Sequence, residues 1–170
     1  MKSIEKLKIL DLSNNSDIGN ENIKHIKIRH LILNQNNNII NYNITKLNKN
    51  IKKLDLIGDV KIKDNDLREL NLVYLNLRND NIITNYGSNH CKNLKMLSLF
   101  RNDKITNGGL IHMKKLEFLD LRMLSQESTY VENSKLHCFY YYVGTKIIYP
   151  KSKITDYSLK KLIALKYLNL

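Results

Sequence analysis

The residues of this chain that could do chemistry are five histidines, two cysteines and sixteen acids, and their spacing gathers no set of them into one place. His25, His30, His90, His112 and His137 form no pair at helical ligand spacing. A zinc site needs four donors, usually as two closely spaced pairs. His137-Cys138 is one such pair without a second. Acid–base or nucleophilic catalysis needs a base within hydrogen-bond reach of its partner. Asp11, Asp55 and Asp120 are far apart in the chain, and Gly108-Gly109 lacks the flanking residues of a phosphate-cradling loop. An enzyme is therefore not expected, and neither is a metal or a cofactor.

The elements that would position any functional side chain come from an internal repeat. Leucine or isoleucine, two variable residues, leucine, one variable residue and leucine or isoleucine recur from Leu7-Lys-Ile-Leu10-Asp-Leu12 to Leu165-Lys-Tyr-Leu168-Asn-Leu170. The second leucine is Leu10, Leu31, Leu54, Leu75, Leu97, Leu119 and Leu168, at steps of 21, 23, 21, 22, 22 and 49. The long step is read as hiding a weaker copy at Ile147-Ile148-Tyr149, which makes about eight units. A period of this length predicts a stacked solenoid, because one unit cannot bury its own apolar face. The chain is accordingly one domain over 1–170, with an irregular insertion at 122–145 that carries Cys138 and the aromatic run Phe139-Tyr140-Tyr141-Tyr142.

A second register runs beside the first. Eight residues past the anchor stand Ile18, Ile39, Ile62, Ile83 and Ile105, followed by apolar residues five and then three positions on. The first half of the unit alternates like a strand, and the second has the spacing of a helical or 3₁₀ turn. Between them lie Asn15, Asn36 and Asn102, with Asp59 and Asp80 at the same offset. A side-chain amide there can satisfy backbone groups left unpaired by a sharp bend. Together, L-x-x-L-x-L-x-x-N and the turns Ile105-Thr-Asn and Ile154-Thr-Asp resemble the leucine-rich repeat family over residues 7–170. The resemblance implies an α/β leucine-rich repeat solenoid: a curved arc with a parallel sheet on its concave face and one short helix or 3₁₀ turn per unit. It also implies a non-catalytic protein that mediates protein–protein interaction.

In each strand the residues flanking the buried leucines point into the groove. Units four to six are expected to expose Tyr74, Met96, Phe100 and Phe118 as apolar anchors, with Arg78, Asp120 and Arg122 supplying specificity and Asn76 on the same binding face. Tyrosine, phenylalanine, methionine and arginine are the types enriched in protein interfaces. The expected ligand is an unidentified protein, and the exposed terminal strand at Leu168-Asn169-Leu170 offers an edge for self-association.

The formal charge is +12, with 23 lysines against 5 arginines. The chain also holds 24 Asn and 21 Ile but one Ala and one Pro, a bias toward AT-rich codons. This usage resembles coding sequence of AT-rich giant DNA viruses (mimivirus-like) and amoebae, and codon bias alone accounts for much of the lysine. A basic rim of Lys8, Arg29, Lys52, Lys95 and Lys166 carries the alternative reading, binding of nucleic acid or an anionic surface without sequence specificity. A third reading, the substrate-recognition part of a ubiquitin-ligase adaptor, follows from resemblance of the Ile105-Thr-Asn-Gly-Gly-Leu110 turn to repeats of that class, although no F-box-like segment precedes Leu7. No apolar run long enough for a signal or a membrane span is found, and two lone cysteines point to a reducing, cytoplasmic setting.

Overall fold

The computed structural model of the protein describes residues 7–39, 49–58, 61–122 and 153–170. Seven three-residue strands form one parallel sheet in chain order: β1 (Ile9–Asp11), β2 (His30–Ile32), β3 (Lys53–Asp55), β4 (Tyr74–Asn76), β5 (Met96–Ser98), β6 (Phe118–Asp120) and β7 (Tyr167–Asn169). Pairing is in register by anchor, with Leu10 beside Leu31, Leu31 beside Leu54, and so on to Leu119 beside Leu168. Period-two alternation sends these leucines to the inner face. Leu31, Leu54, Leu75, Leu97 and Leu119 are buried there with Leu33, Leu56, Leu77 and Leu99. Each contributes about 1.5–3 kcal/mol by leaving water.

Across the core lie one-turn helices, α1 (Asn20–Ile23), α2 (Asp64–Leu67), α3 (Asn85–Ser88), α4 (Asn107–Leu110) and α5 (Asp156–Leu159). A single turn does not persist alone in water, so tertiary contacts must hold it. Ile23, Leu67 and Leu110 are buried in the core. The first helical residue also clamps the start of the next helix. The Thr84 N–H and hydroxyl donate to the two carboxylate oxygens of Asp64, at 2.8 and 2.6 Å. Asn85 accepts from the Thr106 N–H at 2.8 Å and donates to its hydroxyl at 2.7 Å. Asn107 does the same with Thr155, at 2.8 Å each way.

The bend after each strand is equally regular. Asn14, Gln35, Asn79 and Arg101 have φ of 53–55°, and Gly58, at the same place in its unit, has φ 83°. Asparagine and glycine suit this left-handed region, whereas Gln35 and Arg101 are strained there by about 1 kcal/mol. The next residue is the expected amide. Asn102 donates to the carbonyls of Leu77 and Asp80 at 3.1 and 2.9 Å and accepts from the Lys104 and Ile105 N–H groups at 3.0 Å each. Asn36, three units earlier, makes the same four bonds, to Leu12, Asn15, Asn38 and Ile39. Asp80 accepts the corresponding two N–H groups at 3.0 and 2.7 Å.

Across the long step, β6 pairs directly with β7, and Asn107 at the start of α4 clamps Thr155 just before α5. The described residues supply seven strands, and the Ile147–Tyr149 copy lies outside them. Asp59, Cys138 and the expected insertion beyond Arg122 likewise lie outside the described residues.

Candidate binding face

The outer face of the sheet carries two polar clusters built from neighbouring strands. In the first, Asp55 on β3 accepts from the Tyr74 hydroxyl and the Asn76 amide on β4, both at 2.9 Å to Oδ1. Its Oδ2 lies 2.6 Å from His30 Nε2 on β2. The His30 and Tyr74 rings meet edge to face at 6.0 Å. Tyr74, Asp55 and Asn76 are buried by these contacts.

The second cluster spans β4 to β6. Arg122 forms a two-pronged bond to Asp120, Nε to Oδ1 and Nη2 to Oδ2, each 2.9 Å, and its N–H adds a third at 3.2 Å. Such a fork fixes the guanidinium plane as well as its position. Phe100 lies beneath three guanidiniums: Arg78 at 4.4 Å from the ring centroid, Arg101 at 5.3 Å and Arg122 at 5.7 Å. The ring is only 3% exposed. Cation–π attraction is strongest where water is excluded, and here it holds like charges together.

The eight expected contact residues thus divide. Arg78, Met96, Phe118 and Arg122 are half-buried and line the open surface. Tyr74 and Phe100, expected as exposed anchors, are covered by neighbouring side chains instead, and Asn76 and Asp120 are buried supports for Tyr74, Asp55 and Arg122. Phe118 leans on Tyr167, centroids 6.4 Å apart. The sequence reading missed His30, Asp55 and Arg101 as members of these clusters. Their contacts run diagonally between strands, and alignment of the repeats into columns followed by inspection of diagonal neighbours would have found the first two.

The basic rim is also altered. Hydrogen bonding orders it as Lys8, Arg29, Lys52, Val73, Lys95, Glu117 and Lys166. Glu117 binds Lys95 and Lys166 at 2.9 Å each, and these bonds, Lys166 first, pull its carboxyl from 4.5 down to about 2. Among the described residues, Lys8, Arg29 and Lys52 stand in adjacent places on that edge without an acid between them. On the helix side Cys91 is buried, as expected of a small core thiol, and burial pushes it up to about 12.

Among the described residues no three His, Cys, Asp or Glu side chains are placed to hold a metal, and no helix is long and apolar enough to cross a membrane. Compared with profiles of known protein families and with curated proteins, the chain matches none.

Proposed function

We propose that the chain is a leucine-rich repeat protein without catalytic activity that docks another protein on the concave, outer face of its sheet. The observation that carries this reading is the half-exposed surface of Met96 and Phe118 between Arg78 and Arg122, mounted on side chains already fixed by buried partners. Interfaces gain affinity when such groups need no ordering on binding. Methionine, phenylalanine and arginine are also enriched at protein interfaces. The reducing interior of a cell is the setting proposed for it, since the described cysteine is unpaired and buried.

The alternative, nucleic acid or an anionic surface on the basic rim, is weakened by Glu117, which engages two of its five cations. The adaptor reading keeps only its turn resemblance. A photo-crosslinking residue placed at Met96 or Phe118, and for comparison at exposed His112 on the helix side, separates the cases in cells. Capture of the same protein from both sheet positions, absent from position 112, is expected. Crosslinks that form equally at position 112, or none from the sheet face, would defeat the reading.

A further inference from the structure

We infer that the helix side around α3, α4 and α5 is a surface for single-stranded nucleic acid, on which Tyr86 and Tyr157 stack bases and neighbouring lysines hold phosphates. It lies across the core from the protein-docking face and does not rest on that reading. The segments 85–94, 107–116 and 157–165, each running from its helix toward the next strand, hold Lys92, Lys114, Lys115, Lys160 and Lys161 and no acid. The corresponding segments of earlier units carry Glu21, and Asp64, Asp66 and Glu69, so the basic field is confined to three stacked units, with Glu69 and Asp156 at its borders. Among the described residues none of the five ammonium groups pairs with a carboxylate. Lys114 instead reaches the Lys161 carbonyl at 3.2 Å and Lys115 the Asn93 amide oxygen at 2.6 Å. These neutral contacts gather the lysines without cancelling their charge, and such a patch draws in anions.

A basic field alone suits any polyanion, and the aromatic residues choose among them. Tyr86 and Tyr157 are the second residues of α3 and α5, 54% and 62% exposed. Each ring is braced by the side chain four positions on. His90 meets Tyr86 edge to face at 5.2 Å, and Lys161 Nζ lies 4.0 Å from the Tyr157 centroid. The same place in α4 is Gly108, which puts no side chain between the two rings.

The spacing suits one strand. The clamp from Asn85 to Thr106 repeats from Asn107 to Thr155, and a β-carbon on Gly109 would lie 2.6 Å from Asn85 Oδ1, so these helices stack closely. Two strand spacings set the tyrosines about 9.6 Å apart. A single strand with its bases turned outward can seat one on each ring while its backbone passes the lysines. A duplex keeps its bases paired inside, and an acidic peptide has none to stack, so each would use the lysines alone.

The test uses the full chain and a fluorescein-labelled oligothymidylate of about twelve nucleotides, read by anisotropy. Saturable binding is expected, weakening about twentyfold between about 50 and 200 mM salt if three phosphates are held. Tyr86→Ser with Tyr157→Ser should weaken it at least about tenfold without altering the salt dependence. Lys114→Gln with Lys115→Gln should lower the slope of log affinity against log salt by about 1.4. The rim variant Lys8→Gln with Arg29→Gln and Lys52→Gln should change affinity less than about twofold. A strand of equal length with abasic sites keeps the phosphates and leaves the protein untouched; it should bind at least about tenfold more weakly. No saturable binding, equal binding of the abasic strand, unchanged affinity in the tyrosine variant, loss through the rim variant instead, or equally tight binding of polyglutamate would each overturn the inference. Crosslinks at Met96 and Phe118 should persist in the tyrosine variant, so failure of either surface leaves the other standing.

Discussion

Glu117 controls the charge of one sheet edge more than any single lysine does. It stands between Lys95 and Lys166 and binds both at 2.9 Å, so its carboxyl is held at about 2 instead of 4.5. Because the folded value lies below the unfolded one, this pairing stabilises the fold above about pH 4.5, and the contribution is lost as pH falls through about 2. Lys166→Gln removes the larger cause and should raise the Glu117 value toward 4.5, leaving it still below because Lys95 remains. Carboxyl carbon NMR titration of both proteins checks this, and an unmoved Glu117 would mean that the Lys166 contact does not exist in solution. At this scale the sequence was partly legible. The bend amides Asn36 and Asn102 were readable because a backbone turn creates a fixed demand that one side-chain type meets at a fixed offset. The burial of Tyr74 and Phe100 was not. Period-two alternation gives the side of the sheet a residue takes, but the cover comes from Asp55, Arg78, Arg101 and Arg122, whose side chains reach across from other positions.

At the scale of elements, the helices approach one another so closely that side-chain volume decides the sequence. A β-carbon on Gly87 in α3 would lie 2.9 Å from the Asp64 Cα in α2, which is backbone and cannot turn aside. Alanine ordinarily favours a helix over glycine by about 0.5–1 kcal/mol. Here the overlap should win, and Gly87→Ala is expected to destabilise by about 1–3 kcal/mol in urea unfolding followed by circular dichroism. Gly108 in α4 is the milder case: its β-carbon would meet Asn85 Nδ2 at 3.2 Å, an amide held by Thr106, so Gly108→Ala should cost clearly less than Gly87→Ala. Two variants of equal stability would show that the helices sit further apart than described. The strand-and-turn unit itself was legible because two registers repeat in phase. The direct pairing of β6 with β7 across the 49-residue step was not legible in the same way. Local apolar spacing cannot report that long-range pairing.

For the whole molecule, the array reading proposed above makes each unit's stability depend on its neighbours. An array with nearest-neighbour coupling can open as one body or fray unit by unit, and Cys91 can distinguish these modes. Its thiol is 1% exposed and shifted to about 12 by burial, so it reacts with a thiol reagent at neutral pH only when the surrounding units open. Leu31 is fully buried in β2, while Cys91 follows α3 and precedes β5. Leu31→Ala should remove about 2–5 kcal/mol through lost burial and a cavity. In a Cys138→Ser background that leaves Cys91 as the single thiol, a one-body array predicts that Cys91 labels about 30-fold faster or more after this remote change, since each 1.36 kcal/mol is a factor of ten. The continuous sheet, the anchor-to-anchor register and the shared leucine core favour that outcome. An unchanged labelling rate alongside reduced overall stability would instead show that β1–β2 opens independently, leaving the face around Arg78 and Phe100 assembled on its own local support.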